Sequence, residues 1–175
     1  MVIEKASGQK VSAAIRTRVL EPAKLTRTFF DGEEAFPEAL VPGFDTKRRD
    51  VTFSEHPSEP WAAGAMVASI GDVSRWHQAL FGGGFLDPTS QAKLGANPAR
   101  TDDASMKYGL AVFTLDDKRT GGFGAGLSHG GSIEGFHTES IYYVAHKTTI
   151  SAVVNQDGVD PGAVVLAVAR ALFAR

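Results

Sequence analysis

The chain has 175 residues, 43% of them apolar and 22% charged, enough for one ordinary domain with a sizeable core. A net charge of −2 gives no basis for a nucleic-acid or anionic-membrane partner, and the run Lys47-Arg48-Arg49 reads as a solvated loop. The absence of cysteine excludes disulfides and thiolate metal sites.

Met1 to Ser7 reads as the last turns of a helix, with Gly8 placed to close it in a left-handed cap. Val11, Ala14, Ile15 and Val19 follow at helical spacing, and Pro22 ends that helix. Residues 31 to 66 form a long irregular stretch broken by Pro37, Pro42, Pro57 and Pro60. Its aromatics (Phe36, Phe44, Phe53 and Trp61) mark it as packed over something rather than disordered. The next helix starts at the N-cap Ser69, with the Asp72 carboxylate in its first turn. Ile70, Val73, Trp76, Leu80 and Phe81 predict one apolar stripe, and Gly82-Gly83-Gly84 ends the helix. Asp87-Pro88 opens a short helix to about Leu94.

The period then changes. Tyr108 to Phe113 alternates as a strand, Gly121 to Gly126 is a turn, and Leu127 to Ser132 is a short extended stretch. Residues 136 to 144 and 148 to 155 read as two strands joined tightly at His146-Lys147, hence antiparallel neighbours. Asp160-Pro161 caps a closing helix to about Ala174 in which Arg170 is the only polar residue. A helix so apolar is normally covered on more than one side, yet it is too short to span a bilayer. The expected fold is α+β: a helix and loop region over 1–100, a three- to four-stranded antiparallel meander over 106–156, and a closing helix over 160–174. No apolar run approaches a membrane span, and Met1 to Lys5 shows no signal-peptide pattern, so the compartment stays open.

The strongest local signal is Leu127-Ser128-His129-Gly130-Gly131-Ser132. Paired glycines weaken a strand, and one reason to keep them is close approach of another backbone or a ligand. A glycine-rich turn beside a surface histidine reads the same pattern without function. His129, Glu134 and His137 lack the helical spacing of a metal site, and no cofactor motif is present. His56, His77 and His146 stand isolated and read as surface or satisfied histidines.

The order of these features resembles the serine β-lactamase family: class C β-lactamases, D-alanyl-D-alanine carboxypeptidases and related esterases. Ile3 to Gln9 resembles the helix after that family's second motif. Glu21-Pro22-Ala23-Lys24-Leu25-Thr26-Arg27-Thr28-Phe29-Phe30 is similar to its EPLGMxxTxF segment, and Ala63 to Asp72 to its aGGmxSTaxDl helix start. Tyr108-Gly109-Leu110 looks like the strand before the third motif, and Ser151 to Asn155 like the late vvxxN strand. His129-Gly130-Gly131 matches the third motif, Lys-Thr-Gly or His-x-Gly.

The resemblance implies the C-terminal part of the β-lactamase/transpeptidase-like fold and a hydrolase that cleaves a small amide or ester through an acyl-serine. His129 would bind or polarise the substrate, and the Ser132 N–H would complete the oxyanion hole. Gly130, Gly131 and Asn155 would contact substrate; a turn-capping role for Asn155 stands beside that. The Ser-x-x-Lys and Tyr-x-Asn motifs are expected upstream of Met1. Ser7-Gly8-Gln9-Lys10 fits Ser-x-x-Lys literally, but Gly8 breaks the helix that would set serine and lysine one turn apart. Full-length relatives are often periplasmic or secreted. A non-catalytic binding or assembly domain on the same scaffold is the alternative. The resemblance implies that the family's sheet continues with N-terminal strands beside residues 148–155; without them that strand has a bare edge, which on either reading predicts a homodimer or association with an N-terminal half through it and the closing helix.

Overall fold

The computed structural model describes residues 2–36, 39–56, 59–96 and 98–174; the expected breakers Pro37 and Pro57 lie outside them. Helix α1 (Val2–Ser7) ends at Gly8, whose φ of 69° lets its N–H reach the Glu4 carbonyl at 2.9 Å. Helix α2 (Val11–Ile15) does not run on as a plain α-helix, because its last turn, Arg16–Leu20, widens to i→i+5 bonding. Pro22 has no N–H, and its ring excludes the carbonyl four residues back. The turn therefore opens, and the Glu21 N–H bonds to the Arg16 carbonyl instead. This swings Leu20, Ala23 and Leu25 into a buried cluster with Trp76 and Phe85.

Strands β1 (Thr28–Phe30) and β2 (Met66–Ala68) pair antiparallel, an element too short to show in the sequence pattern. They deliver the chain to α3 (Ile70–Phe81), where the Ser69 hydroxyl accepts from the Asp72 N–H at 3.2 Å, as the capping signal predicts. The Asp72 carboxylate turns back to accept from the Arg27 N–H and the Thr28 hydroxyl, at 2.7 and 3.0 Å. It thus locks the helix start to β1. The apolar stripe differs from the expected one: Ile70 is exposed, and the buried positions of α3 are Asp72, His77 and Phe81. Helix α4 (Pro88–Leu94) starts at Asp87, whose carboxylate accepts from the N–H groups of Thr89 and Ser90.

The meander is larger than expected. Six strands lie side by side in chain order: β3 (Ala99–Arg100), β4 (Met106–Tyr108), β5 (Phe113–Leu115), β6 (Gly126–Ile133), β7 (Phe136–Tyr143) and β8 (Thr148–Val154). The predicted single strand over Tyr108 to Phe113 is instead a hairpin. The Gly109 N–H bonds to the Val112 carbonyl at 2.7 Å, and Ala111 takes a φ of 54°, so the chain reverses between Tyr108 and Phe113. Alternating apolar residues do not distinguish a strand from two strand ends flanking a tight turn.

Helices cover both faces at the β7–β8 side of this sheet. Helix α5 (Pro161–Phe173) packs Val165 and Ala169 against Leu115, Ile141, Tyr143, Ile150 and Ala152 on one face. Helix α3 meets the other face, where Phe81 packs with Val112 and Tyr142. The expectation that α5 is covered on several sides is not met among the described residues: Val164, Val168 and Leu172 are exposed along one flank. Strand β8 ends the sheet, and past its last residue Phe44 bridges to Gln156, so the irregular segment is pinned onto the continuation of that edge.

Candidate functional site

The β6–β7 hairpin is the frame of the site. Its turn is Glu134-Gly135, and Gly135 has a φ of 78°. A Cβ there would also lie 2.8 Å from the Val51 side chain, so only glycine fits. Strict alternation then sorts the side chains. His129 and Gly131 share the α3 face with Ser140 and Ser151, whereas Ser128, Gly130 and Ser132 point to the α5 face.

The hydrogen-bond phase of β6 follows from its ends. The Val144 N–H bonds to the Ala125 carbonyl, so alternate residues from 125 onward bond to β7. The backbone groups of Gly126, Ser128, Gly130 and Ser132 therefore point the other way. Strand β5 takes up those of Gly126 and Ser128, its register ending at Phe113↔Ser128. Beyond that point no described strand pairs with β6 on this side. The N–H groups of Gly130 and Ser132 thus face an open strand edge.

Each glycine of the pair has its own reason. A Cβ on Gly130 would sit 2.6 Å from the Thr138 carbonyl, so the close approach of β7 demands glycine. A Cβ on Gly131 would meet nothing within 4 Å. Its bareness keeps open the surface beside His129.

The His129 ring is held at both nitrogens. Nδ1 lies 2.7 Å from the Gly130 carbonyl, which can only accept, so Nδ1 carries a proton. In the neutral ring Nε2 then accepts from the Tyr108 hydroxyl at 3.0 Å. Tyr108 and Phe113 flank the ring, with centroids 5.9 and 5.6 Å away. The β4–β5 hairpin that replaces the expected strand is what places both aromatics there. Beneath lies a polar seam that the sequence pattern did not reveal. The Ser74 hydroxyl donates to Ser151 at 2.8 Å, and Ser151 meets the buried Ser140 at 2.6 Å. His77, 7% exposed, also packs here, with its Nδ1 unpartnered among the described residues. Burial, with a smaller contribution from His129, lowers the His77 pKa to about 4, against a weaker opposing pull from the Ser140 carbonyl.

Asn155 donates from Nδ2 to the Pro42 carbonyl at 2.8 Å, and its own carbonyl accepts from the Phe44 N–H at 2.9 Å. Both bonds fasten the irregular segment to the end of β8. Ser7 ends α1, and Lys10 stands beyond the left-handed Gly8, so the two are not a turn apart on one helix. Ser132 carries a contact absent from the sequence reading: its Oγ lies 2.7 Å from His137 Nδ1. Among the described residues no group of three or more His, Asp or Glu could hold a metal ion, and no helix is long and apolar enough to cross a membrane.

The Beta-lactamase family model matches residues 1–175. The fold is similar to a D-stereospecific amidohydrolase from Streptomyces sp., with a TM-score of 0.80 and 22% identity over 99% of this chain and 52% of that one. It is similar to the D-amino acid amidase of Ochrobactrum anthropi SV3, with a TM-score of 0.80 and 24% identity over 100% of this chain and 54% of that one. A penicillin binding protein from Bacillus halodurans gives a TM-score of 0.78 and 19% identity over 98% of this chain and 52% of that one. The chain therefore spans about half the length of the structures it matches.

Proposed function

The chain belongs to the β-lactamase family, and we propose that it forms the oxyanion-side wall of an acyl-serine hydrolase acting on a small amide or ester, with the nucleophilic serine outside residues 1–175. The observation that carries this reading is the open edge of β6 after Ser128, on which the Ser132 N–H has no strand partner among the described residues. A serine attacking a carbonyl on that edge would place the developing oxyanion between its own N–H and that of Ser132. Gly131 leaves room for the substrate, and His129 stands beside it as the polar contact. Histidine in place of lysine removes the ammonium that would pair with a substrate carboxylate, which disfavours a carboxylate-dependent β-lactam substrate. Amides of single amino acids are the substrates to test first, because the amidase neighbour was solved with L-phenylalanine amide.

The test supplies a segment with the nucleophile. Phenylalanine amide hydrolysis is expected to be absent for residues 1–175 alone. It should appear on co-expression with a segment carrying Ser-x-x-Lys and Tyr-x-Asn, encoded upstream in the same frame. Amide turnover by residues 1–175 alone would overturn the reading.

A binding or assembly role on the same scaffold is favoured by one feature, the exposed row Val164, Val168 and Leu172 along α5, the helix packed on β8, which is the last described strand of the sheet. We propose that strand 148–155 and helix 161–174 take up a second copy of the chain or the N-terminal half.

A further inference from the structure

Ser132, His137 and Asp157 stand in one line of hydrogen bonds. The Ser132 Oγ to His137 Nδ1 distance is 2.7 Å, and His137 Nε2 lies 2.8 Å from Asp157 Oδ1. A carboxylate only accepts, so the ring proton is on Nε2. Nδ1 therefore offers its lone pair to the serine hydroxyl, which donates to it. The far end is rigid: Asp157 Oδ1 also accepts from the Gly135 N–H at 2.8 Å, and the Asp157 N–H is tied to the Phe44 carbonyl at 2.8 Å. Ser132 and His137 are directly opposed across the β6–β7 ladder, and Ser132 is exposed. A base on the hydroxyl and an acid orienting the base are the elements that activate a serine.

We propose that Ser132 is a second, self-contained nucleophilic centre, with His137 as general base and Asp157 as its orienting group, that accepts acyl groups from activated aryl esters. The Ser132 side chain points to the α5 face, opposite His129 and Gly131, so this centre lies on the other face of β6 and shares only the Ser132 N–H with the acyl-serine site above. In the reaction Ser132 Oγ bonds to the acyl carbon, and its proton passes to His137 Nδ1. The carbon–oxygen bond to the aryl group breaks, and the aryl oxide takes the proton from the imidazolium. Water then releases the acid by the same route. The serine's own N–H, on the open edge of β6, faces the oxyanion. The next candidate donors are occupied: the Glu134 N–H bonds to Glu55 at 3.0 Å and that of Gly135 to Asp157. Each missing donor slows acyl transfer by roughly 10²–10³-fold. That confines the centre to activated esters and excludes amides.

The experiment treats the purified chain with an alkyl fluorophosphonate, whose P–F bond is exchanged for a P–O bond to serine, and maps the adduct by mass spectrometry. The expected result is an adduct on Ser132, unchanged in Ser7→Ala and absent in Ser132→Ala. The labelling rate should fall about 100-fold in His137→Gln, within the range of general-base effects. p-Nitrophenyl acetate hydrolysis should follow the same order. Asp157→Asn, whose amide oxygen can keep both the Gly135 N–H and the His137 Nε2–H bonds but carries no charge to stabilise the imidazolium, is the second variant should His137→Gln fail to fold, and a fall of at least about 10-fold is expected. No adduct on Ser132, or labelling at the parent rate in either folded variant, overturns the proposal. Neither result bears on amide hydrolysis by the completed site, so the two readings fail separately.

Discussion

Gly130 and Gly131 are neighbours with opposite reasons to be glycine, and a pair of single substitutions separates them. Gly130→Ala drives a Cβ to 2.6 Å from the Thr138 carbonyl, a backbone atom that can move only by opening the β6–β7 ladder. The expected loss is about 1–3 kcal/mol, as for other overpacked sites, read as a lower denaturant midpoint. Gly131→Ala meets no atom within 4 Å, so its stability is expected to stay within about 0.5 kcal/mol of the parent. In the hydrolase proposed above, its methyl group would intrude beside His129 and raise KM. Equal stability losses in the two variants would show that the β6–β7 spacing is not what fixes Gly130. His129 stands out in the motif, but its tautomer depends on the Gly130 carbonyl and the Tyr108 hydroxyl, and neither contact is written there.

At the scale of the element, α3 is defined by polar contacts as much as by its stripe. Ser69 caps it, Asp72 ties its start to β1, Ser74 joins the hydroxyl seam, and His77 is buried against the sheet. His77 has a pKa of about 4 in the folded chain against an ordinary 6.5. Between those values the unfolded chain binds more protons than the folded one, so stability falls as the pH drops through that window and is fully present above it. The expected loss is roughly 3 kcal/mol from pH 7 to pH 4, at about 1.4 kcal/mol per unit of pKa. Chemical denaturation across that range should lose this acid limb in His77→Leu. A parent slope that persists in the variant would assign the limb to other groups.

For the whole molecule, the sheet is closed on neither side by a described strand, and α5 shows an apolar row to solvent. A terminal strand and an exposed apolar helix row are surfaces that can take up a partner strand and helix. Sedimentation at micromolar concentration is expected to give a dimer. Val168→Lys with Val153→Lys should return a monomer of unchanged secondary structure, since both side chains are exposed. A monomeric parent with cooperative melting would count against the assembly proposal.

Local chemistry was readable in the residues alone. The caps at Ser69, Asp87 and Asp160 act through side chains that bond within three residues of themselves, so sequence spacing suffices to find them. The family order was readable for the same reason, since it rests on contiguous segments. The hairpin at Tyr108 to Phe113, the burial of His77 and the Ser132–His137–Asp157 line were not readable. Each depends on which strand lies beside which and in what register. Pairing across a sheet brings together residues with no fixed separation along the chain, so only the tertiary structure decides which of them meet.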